Sequence, residues 1–216
     1  GWLAGWRAAE AGVAALAGQA AAAEAGIVAA ALDALPPGGL LFVANSMAVR
    51  DLDDFSGTAA KPVTVLGNRG VSGIDGTLAS FFGALAGGGF PAGIALVGDL
   101  ALLHDLGGLA AGQGIAVPAG IALLDNGGGA IFDYLPQTVL PEFRDGWLTP
   151  QRADFAAAAA VWGHRYHPVA AADPAPGFAA ALAAPGVTLL HLALDRAAST
   201  ATHRALWAAC CKESWL

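Results

Sequence analysis

The stretch "PAGIALLDNGGGAIF" (residues 118–132) decides how the rest of the chain is read. An uncharged, apolar run ends abruptly in Asp125-Asn126, passes three glycines and resumes with Ile131-Phe132. A strand this apolar is buried on both faces, which requires a sheet covered by helices on both sides. Its end is polar and its continuation is bare backbone. An amide side chain followed by residues without Cβ lets main-chain N–H groups approach a bulky polar ligand.

The same pattern recurs outward in both directions. "GLLFVANS" (39–46), "KPVTVLGNRG" (61–70) and "AGIALVGD" (92–99) are strands that each finish in Asn, Ser, Arg or Asp. "HRYHPV" (164–169) and "GVTLLHLAL" (186–194) are two further strands. Helical patterns fall at about 24–35, 76–87, 100–112, 152–162, 177–184 and 200–211, and 126–150 reads as irregular. Strands alternating with helices predict an α/β fold with a doubly wound, mostly parallel sheet and helices on both faces. One domain is expected over residues 24–216, preceded by an N-terminal helical extension (1–23) in which Trp2 and Trp6 share a face.

The chain has 216 residues, 56% of them hydrophobic and only 12% charged. That charge fraction is well below the typical quarter and predicts surface that an assembly covers. A net charge of -7 argues against a nucleic-acid partner, so an anionic ligand must be held by backbone N–H groups or a metal. The uncharged stretches 76–98 and 106–124 are broken by glycine and proline and read as buried core rather than membrane insertion. No charged segment precedes an apolar one at the start, so no secretory signal is expected. The only two cysteines, Cys210 and Cys211, are adjacent, which offers neither a disulfide framework nor metal spacing and suits a reducing cytoplasm.

In doubly wound sheets ligands bind beyond the carboxyl ends of the strands. Asp99 and Asn126 stand at two such ends, 27 residues apart, which is the length of one βαβ unit. Neighbouring strands would place a carboxylate beside an amide oxygen and the carbonyls of the glycine loop. Such an oxygen-only set suits Mg²⁺, which retains phosphate oxygens as co-ligands. Taken singly, Asp99 also reads as a helix cap and "NGGG" as a turn; the spaced pair favours a metal and a diphosphate. Arg50 and Arg69 lie on the same edge, and their planar forks suit carboxylates. His104 and Asp105 read as structural, and His164, His167, His191 and His203 show no metal spacing.

"GD" at 98–99 with "DN" at 125–126 resembles the metal-diphosphate motif of thiamine diphosphate enzymes. More narrowly, "NSMAVRDLD" (45–53), "NRGVSGIDG" (68–76), "GDLALLHDLGGL" (98–109) and "NGGGAIFDYLP" (126–136) resemble the menaquinone-pathway synthase family MenD. The resemblance covers nearly the whole chain but only that family's C-terminal, diphosphate-binding domain. It implies thiamine diphosphate with Mg²⁺ or Mn²⁺, the metal held by Asp99, Asn126 and the Gly128 carbonyl. Gly98, Leu100, Gly127, Gly129, Ala130, Ile131 and Phe132 would line the diphosphate. Ser72, Gly73 and Ile74 would meet the cofactor's rings, with Ile74 propping its bent shape. Asn45, Ser46, Arg50 and Arg69 would bind substrate carboxylates. The implied reaction decarboxylates 2-oxoglutarate and adds the remaining four-carbon unit to isochorismate.

Two residues depart from the family pattern. Asp125 stands where asparagine is usual, so its charge either strengthens cation binding or faces away. Gln151 stands where histidine is common. The family's pyrimidine-binding domain, which carries the activating glutamate, and its middle domain are expected to lie outside these residues. The pyrimidine-binding domain would meet this one across a homodimer or homotetramer interface, and the 216 residues alone are expected to be catalytically silent. Two rival readings are another thiamine diphosphate-dependent 2-oxo acid decarboxylase or carboligase, and a non-catalytic cofactor-binding or oligomerisation module.

Overall fold

The computed structural model describes residues 1–19, 22–57 and 60–212. Six strands form one sheet: β1 (Leu40–Val43), β2 (Thr64–Leu66), β3 (Gly93–Gly98), β4 (Pro118–Asp125), β5 (Arg165–Val169) and β6 (Gly186–Ala193). Their order is β2-β1-β3-β4-β6-β5, and every neighbouring pair is parallel. The expected doubly wound α/β sheet is therefore present, entirely rather than mostly parallel.

Burial explains why these segments are strands. All four residues of β1 and the first five of β3 are buried, so both faces are covered. Adjacent strand residues point to opposite faces, and two glycines show what covers each. Gly93 faces Leu85 and Phe81 of α4 (Thr77–Gly88), whereas Gly120, in register with Ile94, faces Ala181 of α7 (Ala175–Leu182). Helix α2 (Ala23–Ala34) packs beside α7 and against α3 (Met47–Phe55). The core joins these layers through Phe81, Phe82, Phe178, Ile27 and Leu41, all essentially inaccessible.

Two helices differ from expectation. The helix expected over 100–112 is a short α5 (Asp99–His104) followed by a 3₁₀ segment, Leu106–Gly114. The break falls at Asp105, whose carboxylate accepts the backbone N–H groups of Leu78 and Ala79 and so caps α4. Helix α3 follows β1 where no helix was expected; Ala48, Leu52 and Phe55, at helical spacing, pack it on the core. The expected irregular segment after β4 is a series of 3₁₀ and π turns reaching Leu148. Helix α6 (Phe155–Val161) then precedes β5.

The last helix, α8 (Arg196–Cys210), starts at Asp195, whose side chain accepts from the N–H groups of Ala197 and Ala198. A cap of this kind contributes about 1 kcal/mol. Helix α1 (Trp2–Gln19) packs on α8 and α3 and carries Trp2 edge-on to Trp6, their ring centroids 6.0 Å apart. Among the described residues no single helix is long and apolar enough to cross a membrane.

Candidate cofactor and substrate site

The strand order reverses direction around β1: β2 lies on one side of it and β3 on the other. A crevice opens at such a reversal, beyond the carboxyl ends of the strands. Here it is a cavity of about 390 Å³, walled by residues that follow β1, β3 and β4. The register pairs Gly98 with Leu124, so Asp99 and Asn126 are delivered to the same edge by neighbouring strands.

Of the residues expected at the site, Asn45, Ser46, Arg50, Arg69, Ser72, Ile74, Gly98, Asp99, Leu100, Asn126, Gly128, Gly129, Ala130, Ile131 and Phe132 all line this cavity. Gly73 and Gly127, also expected there, do not line it. The Gly73 carbonyl accepts from the Asn45 amide at 2.5 Å, and the Gly127 N–H donates to Asp125. Asn45 is buried, and its amide also donates to the Asn68 carbonyl while its oxygen accepts from Arg69. These bonds tie the end of β1 to the "GNRGVSG" loop and aim Arg69. The Arg50 guanidinium turns back to the Ser46 carbonyl at 2.6 Å.

Backbone strain collects at the same place. Among the described residues three non-glycines have positive φ, and two of them, Ser46 (φ 68°) and Ser72 (φ 39°), line the cavity. The third, Thr149 (φ 44°), follows Leu148, whose carbonyl accepts the Gly129 N–H at 2.7 Å. Strain of about 1–3 kcal/mol per residue persists only where surrounding structure enforces it, and functional sites are where it clusters.

The electrostatics suit a cation. Asp99 is buried, and burial, with repulsion from Asp125, raises its carboxyl to about 6 despite the N–H groups of Leu100 and Gly128. The Asn126 Oδ1 atom is buried without a hydrogen-bond partner, one of two such side-chain atoms among the described residues. A buried unsatisfied acceptor costs about 1–3 kcal/mol, and a carboxylate beside it has the same need for positive charge. A carboxylate, an amide oxygen and a carbonyl at a glycine bend are hard-oxygen donors of the kind Mg²⁺ takes. The residues present therefore fit the metal-diphosphate group that the sequence resemblance implies.

The Asp125 question has a geometric answer. Its carboxylate faces β6, where Oδ2 meets His191 Nε2 at 2.8 Å and His191 Nδ1 meets the Tyr166 hydroxyl at 2.7 Å. Asp125 does not line the cavity. Asp125→Asn is accordingly expected to change metal-dependent cofactor affinity by less than about 3-fold, measured by calorimetric titration, since facing away leaves only a screened charge effect. Gln151 is also outside the cavity, exposed, and bonded to the Thr149 carbonyl.

Sequence reading missed a polar part of the cavity lining, Glu24, Asp51, Tyr134 and Ser199. Glu24 is buried and accepts from the Ser199 hydroxyl; Asp51 is buried against His203, with Oδ1 to Nε2 at 2.9 Å. The signal that could have found it is the polar stripe Arg196, Ser199, Thr200, His203, Arg204 and Trp207, at helical spacing along α8. Burial opposes protonation of His203, but Asp51 and the Ser199 carbonyl overcome it and raise the imidazole from 6.5 to about 9. Burial likewise raises Asp51, to about 6, against the pull of His203. A group bound more tightly to its proton in the folded state stabilises fully below its unfolded value and loses that contribution as pH rises through the folded one. Stability to denaturant is therefore expected to fall between pH 6.5 and about 9, and to fall less in His203→Gln.

No family model matches the chain. It is 42% identical over 172 residues to 2-succinyl-5-enolpyruvyl-6-hydroxy-3-cyclohexene-1-carboxylate synthase from Desulfitobacterium hafniense, covering 79% of this chain and 31% of that one. It is 39% identical over 213 residues to the same-named enzyme of Rubrobacter xylanophilus, covering 95% and 37% respectively. Among solved structures it resembles benzoylformate decarboxylase from Polynucleobacter necessarius (TM-score 0.65, 15% identity, 79% of this chain and 32% of that one). It also resembles the thiamine diphosphate-dependent 4-hydroxybenzoylformate decarboxylase of Rhodococcus jostii RHA1 (TM-score 0.62, 21% identity, covering 80% and 32%). The chain spans about a third of the length of the curated relatives it matches. It has the fold of the thiamine diphosphate-dependent decarboxylases and, in sequence, is similar to part of the 2-succinyl-5-enolpyruvyl-6-hydroxy-3-cyclohexene-1-carboxylate synthases, the MenD family.

Proposed function

We propose that this chain is the diphosphate-binding part of a thiamine diphosphate- and Mg²⁺-dependent synthase acting in the cytoplasm. The enzyme decarboxylates 2-oxoglutarate and joins the remaining four-carbon unit to isochorismate. The observation that carries the reading is the buried, unpartnered Asn126 Oδ1 on the edge that holds the buried Asp99, above a glycine bend. Asp99, Asn126 and the Gly128 carbonyl would hold Mg²⁺, and the backbone of 127–130 would receive the phosphates. Thiamine diphosphate, when bound, supplies the electron sink for decarboxylation. The protein's share is orientation and charge. Arg50 and Arg69 would anchor substrate carboxylates, and Ile74, half-buried on the cavity wall, would hold the cofactor's rings in place.

The reading includes a pyrimidine-binding domain closing the site from a second subunit. Val71, beside the cavity-lining Ser72, is 91% exposed, which supports an apolar cover over this rim. The 216 residues alone would bind the cofactor without turnover. A decarboxylase of monocarboxylic 2-oxo acids would share the fold, but two cavity-lining arginines favour a dicarboxylate. A non-catalytic module would bind the cofactor and stay silent when joined to the missing domain.

The test is calorimetric titration of thiamine diphosphate with and without Mg²⁺. The expected result is binding that requires the metal and weakens at least about 10-fold without it. Metal-independent binding, or none at all, overturns the assignment.

A further inference from the structure

The C-terminal helix α8 is bonded to three segments that wall or adjoin the cavity. Ser199 holds Glu24 of α2; His203 and Trp207 hold Asp51 and Asp54 of α3; Arg196 holds Asp133, just after Phe132. Only the second of these joins reaches the helix that carries Arg50.

Helix α3 has nine residues and enters through the strained Ser46. A helix so short is not stable by itself, so its position depends on tertiary anchors. Two of those are hydrogen bonds from α8: His203 Nε2 to Asp51 Oδ1 at 2.9 Å, and Trp207 Nε1 to Asp54 Oδ2 at 2.9 Å. His203 is fully buried, 0% exposed, and both ring nitrogens are engaged. Nδ1 lies 2.9 Å from the Ser199 carbonyl, which can only accept, so Nδ1 carries the proton. The ring is also wedged edge-on between Phe55 and Tyr134, with centroids 5.5 and 6.1 Å away. It cannot turn without breaking both hydrogen bonds. Asp51 therefore has one fixed partner, and the preceding residue in the chain is Arg50.

We infer that His203 is a positioning residue for substrate recognition: through Asp51 it fixes α3 and so sets where Ser46 and Arg50 stand on the cavity wall. This rests on the reading above that Arg50 receives a substrate carboxylate. His203 does not line the cavity, so it would act on a bound substrate only through Asp51 and α3. The metal-diphosphate residues follow β3 and β4, strands that His203 does not contact through any of these bonds. Loss of His203 is thus expected to fall on substrate and to spare the cofactor.

The experiment uses the intact enzyme that contains these residues, with His203→Leu, His203→Gln, Arg50→Ala and the double variant His203→Leu/Arg50→Ala. KM for 2-oxoglutarate and kcat are measured for each, with calorimetric Kd for thiamine diphosphate and a melting curve. His203→Leu should raise KM roughly 10-fold, a coupling typical of bonded neighbours, while kcat and cofactor Kd move less than about 3-fold. His203→Gln retains a donor toward Asp51 and should recover most of the KM. In the double variant KM should match Arg50→Ala alone, because the residue being positioned is gone. Additive effects overturn the inference, as does an equal rise in cofactor Kd. If His203→Leu does not fold, His203→Phe replaces it in the same comparison, and a His203→Gln variant with the full KM defect also counts against the inference. If Arg50→Ala leaves KM unchanged, the substrate assignment itself has failed, which is a result separable from the others.

Discussion

Replacing Asp99 with alanine is expected to abolish Mg²⁺-dependent binding of thiamine diphosphate, lowering its affinity by about 100-fold or more. Removing groups that merely support metal ligands already costs about 10–100-fold, so a direct ligand sets a higher floor. Among the described residues, Asp99 is the one cavity-lining carboxylate at the ends of β3 and β4, since Asp125 is turned toward His191. No neighbouring acid can replace it. The variant should also be no less stable than the parent in the absence of ligand. A buried carboxyl raised to about 6 by desolvation and by Asp125 is a strained charge, and its removal relieves that repulsion. The measurement is paired titration calorimetry and thermal unfolding without ligand. Unchanged cofactor affinity in Asp99→Ala would remove the basis for a metal site here.

The second large effect is steric. Gly128 has φ 133°, and a Cβ there would lie 2.2 Å from the Leu148 carbonyl oxygen. That oxygen cannot retreat freely, because it accepts the Gly129 N–H at 2.7 Å. Gly128→Ala must therefore strain the backbone, displace Leu148 and break the bond that folds the 144–148 turn over the glycine loop. Together these should lower stability by about 3 kcal/mol or more, equivalent to roughly a 10 °C fall in melting temperature at this size. Gly127→Ala is the control. Its φ of 78° is equally unfavourable to a side chain, but nothing lies within 4 Å of the added atom. Only the left-handed strain of about 1–2 kcal/mol remains there. Equal melting temperatures for the two variants would show that the Leu148 contact does not constrain the loop.

Much of the site was legible because it is local. A residue immediately after a buried parallel strand must emerge at the carboxyl edge of the sheet, whatever else the chain does. Asn45, Asp99 and Asn126 reach one cavity for that reason, and the glycines after Asn126 are needed at two positions where φ is positive. The irregular 126–150 segment was also readable, since no apolar period runs through it. Helix α3 was not. Its nine residues, "MAVRDLDDF", do place Ala48, Leu52 and Phe55 at helical spacing, but the run is short and acidic, and it is held by partners far along the chain.

What the sequence by itself determined is the parallel sheet, the edge on which its chemistry gathers, and the residue types available there. Those follow from strand burial and from the alternation of strand and helix, which are properties of short segments. Only the tertiary structure decided which of those side chains are free to meet a ligand. Asp125 turns away because β6 presents His191 to it, and Asn45 is occupied because Gly73, Asn68 and Arg69 converge on its amide. His203 reaches Asp51 across 152 positions. A side chain's partner depends on which surfaces pack together, and packing joins residues whose separation along the chain carries no record of the contact.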